Sequence, residues 1–159
     1  MPLVFSVSNA VAQSAQPIIS YNYGAHNLSR VSRALRVSLL TAVICGAVIV
    51  VGLLLGAPGI TGLFLAPSET AYTLAVKGLP LFATCSVFFA VNIAFIGYYQ
   101  SIEKALASTL FTLLRGVILL VPSFILLPRL IGVPGLWLAI PLAEFLTGIL
   151  ITLYYLRSR

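Results

Sequence analysis

Acidic residues are nearly missing from this chain of 159 residues. Aspartate does not occur, and glutamate occurs only at Glu69, Glu103 and Glu144. Charged residues make up 8% of the sequence, against about 25% in soluble domains. Such a chain cannot cover a water-facing surface with charge, so a soluble globular fold is excluded. Histidine occurs once, at His26, and the two cysteines, Cys45 and Cys85, lie inside apolar runs. That leaves no paired carboxylates, no phosphate loop, no HExxH and no GxSxG. The chain is not read as an enzyme and no cofactor is implied. Without an ATP site, any transport must draw on an ion gradient. The cysteines have no partner at metal-ligand spacing and are read as packing residues, and His26 as an exposed loop residue. The N-terminus shows no basic region followed by a cleavage pattern.

What is present is hydrocarbon. The hydrophobic fraction is 60% and the net charge is +6. The positive balance reflects the scarcity of acids, and no nucleic-acid partner is expected. The pattern predicts an all-α integral membrane protein with about five transmembrane helices, near 1–23, 37–56, 73–100, 105–127 and 134–156. Residues 37–56 alone run without a charge for a length that crosses about 30 Å of bilayer. Ala57-Pro58-Gly59 is expected to end the second helix, Pro80 to kink the third and Pro128 to stop the fourth. In the basic segment 26–36, Arg30, Arg33 and Arg36 recur at i, i+3 and i+6, which suits a short interfacial helix. Arg30, Arg33, Arg36, Lys104, Arg157 and Arg159 fall on one side of the membrane; Arg129 and a snorkelling Lys77 fall on the other. The positive-inside bias places the C-terminus in the cytoplasm of a multi-pass protein of the inner (plasma) membrane.

Three patterns stand out within these segments. The first is a polar stripe: Ser6, Asn9, Gln13, Gln16 and Ser20 share one face of the first helix, opposite Val4, Val7, Val11, Ala15 and Ile18. In a membrane that stripe needs water, a ligand or polar neighbours. Gln13, Gln16 and Asn22 are therefore candidates to line an aqueous cavity; bonding to adjacent helices is the alternative. The second is a pair of deep charges. Arg115 is eleventh in 105–127 and Glu144 eleventh in 134–156, so both lie about 15 Å from a helix start. A lone charge there costs about 2.5–3.5 kcal/mol, which favours pairing; a functional pair and a structural one both remain open. Asn92 is the deep polar residue of 73–100, and Asn92, Arg115 and Glu144 join Gln13, Gln16 and Asn22 as substrate-cavity candidates. The third pattern is small-residue spacing for helix packing: Gly52–Gly56, Ala42–Gly46, Ala90–Ala94 and Gly135–Ala139–Ala143. Tyr98, Tyr99, Tyr154, Tyr155 and Trp137 are placed as interfacial aromatics.

Gln16-Pro17-Ile18-Ile19-Ser20-Tyr21-Asn22-Tyr23-Gly24-Ala25 resembles the end of the eighth helix in the multidrug and toxic compound extrusion (MATE) family of antiporters. Gly97-Tyr98-Tyr99-Gln100 and Gly135-Leu136-Trp137-Leu138-Ala139-Ile140-Pro141 are similar to later stretches, in order. The resemblance implies that residues 1–159 form part of the C-terminal lobe of a twelve-helix transporter, without the N-terminal lobe and seventh helix. It implies secondary active export of small organic, often cationic, molecules in exchange for Na⁺ or H⁺, around a cavity between two lobes. Pro17, Pro80 and Pro122 would permit the bending that alternation needs. The alternatives are a lipid-linked oligosaccharide flippase of the related superfamily and a non-transporting membrane remnant. Family coupling carboxylates sit on the first helix, or on the seventh and tenth. The tenth-like helix here, 73–100, has Asn92 and no carboxylate. Glu144 is the only deep acid, and no motif match gives it a coupling role.

Overall fold

The computed structural model describes residues 2–158, and every regular element among them is helical. The helices are α1 (Pro2–Gly24), α2 (Leu28–Gly62), α3 (Thr70–Ala83), α4 (Cys85–Ser101), α5 (Ala105–Leu113), α6 (Leu120–Ile131) and α7 (Val133–Arg157). A π-helical turn, Leu114–Ile118, joins α5 to α6.

Local chemistry sets the ends. α1 and α4 are each followed by a non-glycine residue with positive φ, His26 (56°) and Glu103 (62°). In both, the next N–H reaches back five residues: Asn27 donates to Asn22 O at 2.8 Å and Lys104 to Tyr99 O at 2.9 Å. These are Schellman caps, which satisfy carbonyls that a helix end otherwise orphans. Asn27 then caps α2, its side chain accepting from Arg30 N–H. Gly132, at φ 69°, makes the corner between α6 and α7.

Several predicted boundaries are corrected. α2 runs for 35 residues, not 37–56. The basic segment forms its first turns and not a separate interfacial helix, because the Asn27 cap starts a helix that nothing interrupts before Val37. Pro58 lies inside α2 and Pro128 inside α6. A proline removes one N–H without removing the apolar residues that follow, and Ile60 in α2 and Leu130 and Ile131 in α6 carry the helices on. The third span is broken: α3 and α4 meet at Thr84 with a bend of 40°. Pro80 deprives the Val76 carbonyl of its helical donor, and the Thr84 hydroxyl donates to Leu81 O at 2.7 Å. The fourth span runs to Ile131 and contains the π turn.

Among the described residues, 28–62, 105–131 and 133–157 are long and apolar enough to cross a membrane, and the bent α3–α4 pair makes a fourth such span. α1, at 23 residues, has the length, about 34 Å, but its amide-rich face lowers its apolar content.

α4 lies at the centre, packed by α1, α2 and α7. Ile19, Leu35, Phe95, Tyr99 and Ile151 form one buried cluster, and Ala42, Ala90 and Ala94 a second. The small residues set how closely the backbones approach. A Cβ on Gly46 would lie 2.7 Å from Val87 Cα, one on Gly135 would overlap the Leu127 carbonyl, and one on Gly78 would fall inside the Trp137 ring. Trp137 thus packs across α3 rather than standing as an isolated interfacial ring. The tyrosines also pack on one another: Tyr99 is buried against Tyr98, Phe111 and Tyr154. The Gly52–Gly56 pair is not used among the described residues. Gly52 has nothing within 4 Å, and Gly56 meets only Ile60 of its own helix.

These contacts separate the glycines. Gly46→Val should destabilise the protein by about 1–3 kcal/mol, because two backbones must part. Gly52→Ala should stay within about 0.5 kcal/mol. Denaturant unfolding of the purified variants in detergent measures both; equal effects would show that Gly46 is not a packing constraint.

Candidate functional site

The polar stripe of α1 opens onto a groove shared with α4. Asn9, Gln13, Gln16, Pro17 and Ser20 line one wall and Ile93, Ile96, Gly97 and Gln100 the other, around about 630 Å³. Gln16 Nε2 donates to Gln100 Oε1 at 3.1 Å. Gly97 makes room for this bond: a Cβ there would lie 3.1 Å from Gln16 Nε2 and 3.3 Å from Ala12 Cβ. Two segments far apart in sequence, Gln16-Pro17 and Gly97 to Gln100, are therefore one piece of architecture. Pro17 also leaves the Gln13 carbonyl without its helical donor. Gln13 and Ser20 are exposed. Among the described residues, no charged side chain lines the groove.

The stripe is narrower than its spacing suggested. Ser6 is exposed but lies outside the groove, and Asn9 Nδ2 donates to its own helix at Phe5 O, 2.8 Å. Asn22 is a correction. It is buried, its Nδ2 donates to Ile18 O at 2.8 Å, and it faces α2 instead of the polar groove. Six residues past Gln16, it has rotated about 600° along the helix, or 120° away from that face. Gln100 was missed as a lining residue because its partner lies 84 positions away.

The second cluster joins three elements. Arg115 on the π turn donates to Glu144 Oε1 of α7 through Nε at 3.1 Å and a terminal nitrogen at 2.5 Å. From α4, Asn92 Nδ2 donates to Glu144 Oε2 and to the Glu144 backbone carbonyl, each at 2.8 Å. The Arg115 guanidinium also sits 4.1 Å from the centroid of the Phe89 ring. Side-chain exposure is 11% for Arg115 and 6% for Glu144, and Asn92 is fully buried. The expected contact between the deep charges is present and direct, and Asn92 completes it. Depth placed Arg115 and Glu144 together; nothing in the sequence joined Asn92 to them.

The π turn is part of this geometry. Leu119 N–H donates to Leu114 O at 2.8 Å, five residues back. The wider turn shifts the helical register at Arg115 relative to a plain α-helix. Asn92 Oδ1 has no hydrogen-bond partner, and a Cβ on Gly148 would lie 3.2 Å from it. Chemically the cluster is a neutral ion pair with one carboxylate. Among the described residues no group of three His, Cys, Asp or Glu converges to hold a metal ion.

The two sites share α4. Phe89, Ile93, Ile96 and Gln100 follow one another on one helical face. Arg115 covers Phe89, one turn beyond Ile93, while Asn92 turns toward α7. The polar groove and the charged cluster are thus consecutive along a single helix.

Comparison with known proteins agrees with this architecture. The MatE family model matches residues 1–125. The chain belongs to the MatE family. No curated protein sequence matches it. A solved structure described as the inward-facing conformation of a multidrug resistance MATE family transporter of the MOP superfamily superposes with a TM-score of 0.84 at 15% identity. The match covers 95% of this chain and 37% of that transporter. At that identity the match establishes the fold, and this MatE-family chain spans little more than a third of the transporter's length. It is an all-helical membrane protein built like part of a MATE transporter.

The buried cluster makes a double-mutant prediction. Glu144→Gln leaves Arg115 unpaired at low exposure and should cost about 3–5 kcal/mol. Glu144→Gln combined with Arg115→Gln should cost less than the single change, because no uncompensated charge remains. Thermal unfolding of the single and double variants in lipid nanodiscs tests the order; a double variant worse than the single would mean that the pair does not set the stability here.

Proposed function

We propose that this chain serves a secondary active multidrug exporter, as the part of its C-terminal lobe that faces the other lobe. The observation that carries the reading is the uncharged groove of Asn9, Gln13, Gln16, Ser20 and Gln100. Amides and hydroxyls both donate and accept, so such a wall hydrogen-bonds many organic molecules without demanding one charge pattern. In this reading the groove is one wall of the substrate path, completed by an N-terminal lobe. Small organic molecules, often cationic, are exchanged for Na⁺ or H⁺, the C-terminus lies in the cytoplasm, and the membrane is the inner (plasma) membrane. A flippase for oligosaccharide diphosphates is favoured less, because such a path would carry cations and this groove has none.

Gln16→Leu together with Gln100→Leu removes the polar pair while keeping bulk. In the complete transporter the double change should lower export of a cationic dye about two- to tenfold, the size of one lost hydrogen bond, at unchanged membrane abundance. Dye efflux from preloaded intact cells, with the Na⁺ and H⁺ gradients collapsed separately, measures substrate handling and coupling together. Unchanged efflux in the variant would remove the groove from the substrate path; efflux that survives loss of both gradients would overturn the antiport reading.

A further inference from the structure

A second groove, of about 570 Å³, runs between α1 and α2. Its chemistry is the reverse of the first. Arg30 and Arg33 stand at one end, and the aliphatic side chains along its length include two that are exposed, Ile18 and Val37. Arg36, the third member of the basic repeat, does not border it.

Among the described residues the two arginines have no counter-charge. The ion pair found there is Arg115–Glu144, which consumes one of the three glutamates. Glu69 accepts from Ala66 N–H beyond the opposite end of α2, and Glu103 follows α4. Arg30 and Arg33 lie in the first turns of α2, before the uncharged run that begins at Val37, which places them at a membrane–water boundary. Ser38 borders the groove five residues beyond Arg33, about 7.5 Å deeper along the helix. It is 5% exposed and its hydroxyl has no hydrogen-bond partner.

We infer that this groove binds an anionic phospholipid, with the headgroup phosphate on Arg30 and Arg33 and an acyl chain along Ile18 and Val37. A phosphate presents the acceptors that the guanidinium donors lack. An acyl chain suits a trough that already faces hydrocarbon, and the ester oxygens of a glycerolipid are acceptors at the depth of Ser38. The same two charges disfavour a cationic organic molecule, so this groove selects against the molecules proposed for the uncharged one. An apolar helix of another protein segment would cover the aliphatic wall but leave both arginines unneutralised.

The test is native mass spectrometry of the purified chain, titrated with dioleoyl phosphatidylglycerol and, separately, dioleoyl phosphatidylcholine. Phosphatidylglycerol should bind at least tenfold tighter. Arg30→Gln with Arg33→Gln should weaken it by roughly fivefold per arginine. Arg30→Lys with Arg33→Lys, which keeps the charge, should bind more tightly than the glutamine pair, and Arg129→Gln, a distant exposed cation, should leave binding unchanged. Val37→Trp, which fills the trough and leaves the charges in place, should also lose the lipid. Equal binding of the two lipids overturns the inference, as does an Arg129→Gln loss equal to that of Arg30 and Arg33. Competition by free glycerol phosphate at matching concentration, or full binding by Val37→Trp, would mean that the acyl groove is not used and overturns it too. Failure of the lipid to bind a longer protein containing this chain would identify a protein segment as the occupant instead.

Discussion

In a hydrocarbon surrounding, a polar group must find its partner inside the protein, and this constraint orders the whole bundle. Ser8, Asn22, Ser101, Ser123 and Thr147 all return their side-chain donors to a carbonyl four residues back on their own helix. That solution costs no tertiary structure and specifies none. The Arg115–Glu144–Asn92 cluster is the opposite case. Its groups cannot be satisfied within one helix, so α4, the π turn and α7 must be held in one mutual rotation. A buried pair of this kind is weak support for net stability, since desolvation offsets much of the attraction. What it supplies is register: a rotation of α7 by one residue would aim Glu144 about 100° away from both partners.

Close approach of backbones follows from the same surroundings. Lipid tails are as apolar as leucine, so helices gain little from burying leucine against leucine. Packing must come from contact area, and that requires small residues at the crossings. Gly46 against Val87, Gly78 under Trp137 and Gly135 against Leu127 are the places where this chain meets the demand. The large aliphatic residues Leu40, Ile44 and Val48 point outward from α2, where a soluble protein would carry charge.

The spans 28–62, 105–131 and 133–157 were legible in outline because a long apolar run with few charges suits a membrane span and little else; the count of five was not, since the third span is broken at Thr84 and α1 is too polar to qualify among the described residues. The depth of Arg115 and Glu144 was legible because each sits at a countable distance from a helix start. Rotation was not. Counting by steps of three and four kept Gln13 and Gln16 on one face, but Asn22 lay beyond the reach of that pattern and turned toward α2. Helix ends were misread where proline was taken as punctuation. Pro58 and Pro128 each remove one donor, and the flanking hydrocarbon outweighs that loss. The π turn had no visible signal, since Leu-Arg-Gly-Val-Ile is compatible with an ordinary α-helix and only the demand of Glu144 for Arg115 distinguishes the two. Asn92 stood out as a deep polar residue, yet its partner is 52 positions away. All the small-residue rows share the same step of four, yet among the described residues Gly52–Gly56 is the one that meets no other helix, because spacing reports a face and not a neighbour.

Charge is distributed unevenly along the bundle. The Gln16–Gln100 groove is neutral, and the guanidinium one turn beyond it is held by Glu144 and lies over Phe89. An unpaired Arg115 at that position would repel the cationic molecules proposed for the groove, by an amount magnified in a medium of low dielectric. Its pairing therefore matters to the groove even though Arg115 does not line it. The guanidinium stacked on Phe89 also stiffens the wall at the end of the groove, because a ring covered by a cation and edged by Phe5 has little freedom to swing. Movement of α5 and α6 about the π turn would have to carry Arg115 with it or part it from Glu144. Of the two, carrying it is the less costly, which couples α5 and α6 to α7 and leaves the bend at Thr84 as the softer place in the bundle.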